Sequence, residues 1–484
     1  MNQLWKNITW SSYGNFLSIP TDCPQRNERL GWAGDISVFS RTATYLADVP
    51  QFLRRYLRSM RDVQRTDGRF PDIAPLGGGF GGLLWGSAGI TVPWECYQQY
   101  GDTILLSEHY DAMKRYIQYI IDNTIETETN LIVQTRSWGD LCDWLGLEDE
   151  KNDKSLVWEA YFIYDLELMA KMATVLGKVT DAEWFRELHA ARKDFFNKTY
   201  IEPETGKTLF SAFVPEKKGS HIDIQTSYVL PLAFNIIDEE NRNKVIANLA
   251  ETVRRENTTD RGQQCPSYSL MTGFIGTSWI NKALSDYGHS DLAYRLLQQT
   301  SYPSWLYSIE QGATTIWERL NSYTRTDGFG GNNRMNSFNH YSFGAVGAWM
   351  YNYSLGIQRD ETFPGFKQFV LKPMPDPTGK MTYARGYYDS MYGRIESGWK
   401  VESGVIRYTF TVPANTTATL YLPTASLRDV REKTKPVRKC KGVEFISEGN
   451  GEVVLKLLSG SYSFEVKKDY PLAARKRKKY VFVR

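Results

Sequence analysis

Three stretches of this chain carry the residues best suited to chemistry. Thr21–Asp35, TDCPQRNERLGWAGD, packs three carboxylates (Asp22, Glu28, Asp35), two arginines (Arg26, Arg29), a tryptophan and two glycines into one run. The segment SIEQGATTIWERLNS brings Glu310 and Glu318 beside a tryptophan. RSWGDLCDWLGLED adds Trp138, Asp140, Asp143 and Trp144. Carboxylates in aromatic-rich loops from separate parts of a chain are what glycoside hydrolysis requires. One carboxylic acid protonates the leaving oxygen, and a second carboxylate attacks carbon or activates water. The acid needs a raised pKa, which burial against an aromatic ring or a neighbouring carboxylate supplies. For each loop alone, the plainer reading is a packed tryptophan beside a solvated carboxylate.

Other chemistries find little support. There is no GxSxG elbow. The five cysteines (Cys23, Cys96, Cys142, Cys265, Cys440) are odd in number, widely spaced and without a CxxC pair, so neither a disulfide framework nor a zinc site is expected. The histidines have no HExxH spacing, and no metal or cofactor is expected. The glycines between Gly77 and Gly82 lack a following Lys-Ser/Thr and a preceding strand, so they read as a rim loop rather than a phosphate cradle. A net charge of +3 gives no electrostatic case for nucleic acid or an anionic membrane. No run approaches the roughly eighteen apolar residues of a transmembrane helix. The first residues, MNQLWKNITW, show no signal peptide. Aromatic residues make 14% of the chain, with 14 Trp and 30 Tyr, the residues that stack on sugar rings and bond to their hydroxyls.

The elements that must position these loops are mainly helical. Apolar periodicity predicts helices near 2–13, 35–47, 50–65, 89–100, 103–127, 155–177, 181–198, 224–234, 239–254, 273–287, 290–299 and 342–355. Pro24 opposes a helix at the front of the first loop, and Gly31 and Gly34 oppose one at its back. Thr180 followed by Glu183 predicts a capping box, and Gly101 and Gly177 sit where helix C-caps belong. So many helices in one domain suggest an α-solenoid or a closed six-hairpin toroid, and the lack of a fixed repeat weighs against the solenoid. After residue 358 the texture changes. Segments 405–412, 417–422, 443–447, 452–457 and 461–466 alternate as the strands of a small antiparallel β-sandwich do. The expected domains are 1–357 (helical), 358–467 (β-sandwich) and a basic, solvated tail, 468–484.

At this point a family comes into view. TDCPQRNERLGWAGD, GITVPWECYQQYGD, RSWGDLCDWL, EQGATTIWERLNS and FNHYSFGAVGAWMY, in this order, resemble the bacterial α-L-rhamnosidases of the glycoside hydrolases. The resemblance covers about residues 1–355 and continues more weakly through PGFKQFVLKPMP and YDSMYGRIESGW. It implies an (α/α)6 barrel followed by a β-sandwich, and release of terminal α-L-rhamnose from a rhamnoside with inversion. It makes Glu28 the general acid and Glu318 the base that activates water, with Glu310 the competing base. Asp22 and Asp35 are implied as ligands for the sugar hydroxyls, with Arg26 beside them. Trp94, Trp138 and Trp144 are implied as pocket walls, and His340 as reaching a hydroxyl. The chain departs from the pattern at Asn27, where many relatives carry aspartate, and at Leu320, where a tryptophan is expected. Family members also carry β-sandwich domains ahead of the barrel, whereas this chain starts close to the acid loop. The rival readings are another (α/α)6 glycosidase or a polysaccharide lyase, and a truncated, non-catalytic rhamnose-binding protein.

Overall fold

The computed structural model describes residues 1–79, 82–134, 141–329, 336–433 and 435–467. Trp138, Asp140 and the basic tail lie outside the described residues. Two compact units are present, one from Met1 to Met350 and one from Tyr351 onward.

The first unit is helical. Its helices are α1 (Asn2–Asn15), α2 (Ala33–Leu46), α3 (Pro50–Asp62), α4 (Ala88–Tyr100), α5 (Thr103–Thr124), α6 (Lys154–Val175), α7 (Val179–Tyr200), α8 (Gln225–Ala233), α9 (Glu239–Arg254), α10 (Phe274–Asp286), α11 (Ser290–Gln298) and α12 (Trp305–Glu310). The helical stretch from Ser342 to Trp349 follows. Alternate members form a closed inner ring: α2 packs on α4, α4 on α6, α6 on α8, α8 on α10, α10 on Ser342–Trp349, and that segment back on α2. The others lie outside, with α7 on α6, α9 on α8 and α11 on α10. This is the six-hairpin toroid. Burial follows position. The inner α6 buries nearly every side chain from Ser155 to Ala173, whereas the outer α3 buries only Leu53, Tyr56, Leu57 and Met60. A helix apolar all round belongs in a core, and a striped one belongs on its surface.

Local chemistry sets most of the helix ends. Asp102 and Asp153 cap α5 and α6, their carboxylates accepting from Leu105 N (3.0 Å) and Ser155 N (2.9 Å). Gly101 and Gly177 end α4 and α6 in the left-handed conformation, as expected. The capping box at Thr180 does not form. Gly177 N bonds to Thr174 O and Lys178 N to Ala173 O, and this closing motif runs straight into α7, which leaves Thr180 inside the first turn. The expected single helix over 342–355 is also broken, into a 3₁₀ turn, one α turn and a π turn. Thr42 of α2 explains part of this. Its hydroxyl donates to Ala345 O (2.8 Å) and accepts from Ala348 N (2.9 Å), so it takes over backbone bonds the helix would make internally. A Cβ on Gly347 would stand 2.6 Å from Thr42 Cγ2, and glycine is what permits the approach. The short α12, capped by Ser304, falls in a region that reads as loop because six residues carry too little periodicity.

The second unit contains two sheets. Strand numbering begins with a short hairpin in the first unit, β1 (Asn257–Thr258) and β2 (Gln264–Cys265). The second unit continues with β3 (Ile357–Arg359), β4 (Gln368–Leu371), β5 (Tyr383–Ser390), β6 (Gly393–Glu402), β7 (Val405–Val412), β8 (Thr417–Leu422), β9 (Val430–Glu432), β10 (Lys435–Pro436), β11 (Val443–Gly449), β12 (Glu452–Leu457) and β13 (Gly460–Lys467). One sheet runs β10-β9-β13-β7-β6-β5 and the other β11-β12-β8-β4-β3. The pairings are antiparallel except for β4 with β8, which is parallel. β7, β8 and β12 bury alternate residues, as the sequence alternation predicts. The β5–β6 hairpin escaped the pattern because Gly386 and Gly398 interrupt it.

Ring closure generates a testable expectation. Thr42→Val keeps the shape but strips both hydrogen bonds, leaving Ala345 O and Ala348 N buried and unmet. Urea unfolding should show a loss of about 2–3 kcal/mol, the scale for stranding buried backbone groups. A change within about 0.5 kcal/mol, ordinary for a neutral substitution, would mean that the contact does not hold the ring.

Candidate active site

The loop between α1 and α2 is held by its own backbone and by its neighbours. Asp22 N bonds to Leu30 O (2.9 Å), and Leu30 N bonds to the Asp22 carboxylate (2.9 Å). Ala33 N and Gly31 O pair with Asp72 O (2.6 Å) and Ala74 N (3.1 Å) of the next long loop. A Cβ on Gly31 would lie 2.2 Å from Ala74 O, and one on Gly34 would enter the Trp85 ring, so both glycines are required by close approach. This anchoring presents Asp22, Arg26, Glu28 and Trp32 from a fixed frame.

The far partner arrives through α1. This helix buries polar side chains, and three of them reach forward to the later segment. Asn7 Nδ2 donates to Ala313 O (2.9 Å), Ile316 N donates to Ser11 Oγ (2.8 Å), and Asn15 Nδ2 donates to Asn339 O (3.3 Å). The segment carrying Glu318 is thus laid along α1, beside the loop that α1 leads into. Ser337 reinforces it. Glu318 N bonds to Ser337 O (2.9 Å), Ser337 N bonds to Glu318 Oε2 (3.2 Å), and Gln25 Nε2 bonds to Ser337 Oγ (3.1 Å).

At the centre stands Arg26. One terminal nitrogen bonds to Glu318 Oε2 (3.2 Å); the other bonds to Glu28 Oε2 and lies 3.8 Å from Asp22 Oδ2. Trp32 Nε1 donates to the other oxygen of Glu28 (2.8 Å). Glu318 and Asp22 are buried, whereas the Glu28 side chain is 29% exposed. Glu310 ends α12, exposed, with no part in this cluster. Asp35 opens α2, where the helix dipole favours a carboxylate. Its Oδ1 receives His340 Nε2 (2.6 Å) and Ser342 Oγ (2.6 Å). Phe274, at the start of α10, lies 5.3 Å from the His340 ring.

Two buried polar atoms in this group have no hydrogen-bond partner: Asp22 Oδ2 and His340 Nδ1. Burial drives the Asp22 carboxyl up to about 6; nearby His340 opposes the shift, and Asp35 and Glu28 add to it. For His340, burial disfavours the cation, but Asp35 outweighs it and the net shift is upward. Burial also opposes the Arg26 cation, and Glu318 and Glu28 more than compensate, so it stays charged. Among the described residues, Asp22, Cys23 and Glu28 form the one group that brings metal-ligand atoms within 4.8 Å of one another. Burial pushes the Cys23 thiol up to about 12, and Arg26 already occupies Glu28, so these residues suit a cation poorly.

The expected tryptophans divide. Trp94 is buried within α4, 5.7 Å from the Tyr97 ring, with Lys171 Nζ 5.5 Å from its own ring. Lys171 lies near the C-terminal end of α6, roughly 25 Å along that helix from its start. The side chain of Trp144 is half-buried, and its carbonyl accepts from Phe274 N (2.9 Å), which places its loop beside the His340 contact. Asp143 fixes that loop, accepting from Thr226 Oγ1, Gly273 N (2.8 Å) and Gly276 N (2.9 Å) at the starts of α8 and α10. Trp138 lies outside the described residues. Trp32, Ser337 and Ser342 join the site without having been singled out in the sequence. Trp32 had a signal, four residues after Glu28 in the same loop, but the serines had none.

A ring of helical hairpins that gathers carboxylates around an arginine at one mouth has the form of a six-hairpin carbohydrate-active domain. Residues 1–354 match the bacterial α-L-rhamnosidase six-hairpin glycosidase domain, and residues 356–436 match the bacterial α-L-rhamnosidase C-terminal domain. The chain belongs to the bacterial α-L-rhamnosidase family. It is 37% identical to an α-L-rhamnosidase of Streptomyces avermitilis, the alignment covering 96% of this chain and 41% of the relative. It is 34% identical to one of Formosa agariphila, covering 96% and 48%. The crystal structure of the Streptomyces avermitilis α-L-rhamnosidase complexed with L-rhamnose superposes with a TM-score of 0.83 at 36% identity, over 96% of this chain and 41% of that one. The α-L-rhamnosidase from Dictyoglumus thermophilum superposes at 0.82 and 31%, over 96% and 49%. The chain therefore spans less than half the length of these relatives.

Asp22 supplies a pH prediction. Its folded pKa of about 6 lies above the roughly 4 of an unfolded aspartate. Its contribution to stability is therefore fully present below pH 4 and is lost as pH rises through 6. Asp22→Asn removes the ionisation. The stability of the variant relative to the parent should climb between pH 4 and 7, by up to about 3 kcal/mol. Parallel urea curves across that range check this, and a constant difference between the two proteins contradicts it.

Proposed function

We propose that this chain hydrolyses terminal α-L-rhamnosides with inversion, with Glu28 as general acid and Glu318 as the base that activates water. The observation that carries the reading is the meeting of these two carboxylates, from opposite ends of the helical unit, on the two terminal nitrogens of Arg26. Inverting hydrolysis needs carboxyl groups roughly 6.5–9.5 Å apart with room for water. Two carboxylates bonded to different nitrogens of one guanidinium face a shared space, as the acid and base of this reaction must. Glu28, the more exposed of the two, suits the side from which a leaving group departs. The buried Glu318 suits a base working on one held water. Glu310 is exposed on α12, which favours the buried Glu318 in the role.

The surroundings support a sugar in the gap. Asp22 Oδ2 and His340 Nδ1 are both buried without a hydrogen-bond partner, and sugar hydroxyls would satisfy both. Asp35 holds His340 in place, and its charge raises the pKa of the ring. Arg26 bonds to Glu28 here, so the reading requires the glycosidic oxygen to take its place beside that carboxyl group. Trp32 steadies Glu28 from its other oxygen. Trp144 and Phe274 offer apolar surface for a deoxy sugar. Asn27, where relatives often carry aspartate, is exposed, and no cofactor enters the scheme.

Screening aryl glycosides and a rhamnosyl disaccharide, with product anomers followed by NMR, tests this. The expected result is release of rhamnose with the β anomer appearing first. Glu28→Gln and Glu318→Gln should each lower disaccharide turnover at least about 100-fold, the low end for losing a positioned acid or base, and Glu310→Gln should stay close to the parent. Near-parental turnover by either of the first two variants sinks that assignment. Rhamnose binding without cleavage of any rhamnoside points instead to a non-catalytic sugar-binding protein.

A further inference from the structure

The second unit carries an exposed feature that the catalytic reading leaves unused. On β5, the edge strand of the six-stranded sheet, Tyr383, Arg385, Tyr387 and Asp389 all face solvent. Tyr383 is 59% exposed and Tyr387 50%. Aromatic rings in that position carry an aggregation cost at a sheet edge, so their presence calls for a purpose. Four residues apart on one strand, the two rings stand roughly 13 Å from each other, more than one sugar ring spans and within reach of a short run of linked ones.

Arg385 stands midway between them. Two other arginines of this face pair with carboxylates: Arg394 bidentately with Asp389 (2.7 and 3.0 Å), and Arg407 with Glu465 (2.8 Å) and Glu402 (3.2 Å). The nearest acidic neighbour across the strands, Glu396, accepts from Thr411 Oγ1 (2.7 Å). Opposite Arg385 the register places Gly398, which has no side chain to meet it; a Cβ there would lie 3.2 Å from both Arg385 Cβ and Thr409 Oγ1. Among the described residues the Arg385 guanidinium has no carboxylate, while Gly398 opens a shallow floor beside it with the exposed Thr409 beyond. Arg394, locked by Asp389, lies 3.8 Å from the centroid of Tyr387 and fixes that ring in orientation. A pre-set aromatic platform costs little entropy on binding.

We propose that this face of the second unit binds an extended acidic polysaccharide, with Tyr383 and Tyr387 stacking on sugar rings and Arg385 pairing with a uronate carboxylate between them. Charge complementarity selects the occupant. A neutral glycan would leave Arg385 unmatched, and a planar carboxylate fits its fork bidentately. The proposal is independent of the catalytic reading, because it concerns residues of the second unit alone.

Native gel electrophoresis of the full chain, in gels cast with polygalacturonate or with its carboxyl-reduced polymer, tests it. The parent should be retarded by polygalacturonate and much less by the reduced polymer. Arg385→Ala and the double variant Tyr383→Ala/Tyr387→Ala should each weaken retardation at least about five-fold, while turnover of aryl rhamnosides stays unchanged. Arg428→Ala, an exposed arginine off this face, should behave as the parent. Unretarded parent protein, equal retardation by both polymers, or an effect of Arg428→Ala matching that of Arg385→Ala overturns the proposal. Loss of rhamnoside turnover in the parent speaks only against the catalytic reading.

Discussion

A ring of helices exists only if its last member meets its first, and here the closing contacts are polar. Asp35 at the head of α2 holds His340 and Ser342, and Thr42 further along bonds into the backbone at Ala345 and Ala348. Asn7 and Ser11 of α1 tie down the segment that leads to Glu318. Each of these groups is buried, so a register slip would strand it at the full cost of desolvation. Apolar packing alone would accept several nearby registers. Hydrogen bonds of this kind accept one, and the alignment of Glu318 with the opening loop follows from it.

The cluster formed by that closure is not built for stability. Asp22, Glu28 and Glu318 crowd one guanidinium, Asp22 is driven toward its neutral form by burial, and two polar atoms are left without partners. Unmet buried polar atoms occur elsewhere in the unit as well, and what sets this group apart is three carboxylates around one guanidinium. Other buried charges of the unit are matched, as in the Glu159–Arg192 pair and in Asp143 with its three donors.

The two units express burial differently. The helical unit hides whole helices inside a second layer, so its inner members lose their stripe and read as continuous apolar runs. The sheets keep the alternation of buried and exposed positions along each strand. That is why the solvent face of β5 and β6 can be read residue by residue, whereas the inner wall of the barrel cannot.

Much of this protein was legible in its sequence. Periodicity located most of the helices, glycines marked the ends of α4 and α6, and the change of texture near 358 announced the sheets. The loop Thr21–Asp35 could be read as ordered and chemically loaded because proline and glycine act locally, and family resemblance pointed to Glu28 and Glu318. Other features depend on distant partners and left no local trace. Thr42 breaks up the final helix from across the ring. The buried polar face of α1 has no amphipathic signature. Trp94 meets Lys171 of α6, a contact that no spacing along α4 announces. Residue type and spacing determined which groups were available. Closure of the ring decided which of them meet, because hydrogen bonds reach only about 3 Å and the residues that make them here lie at opposite ends of the helical unit.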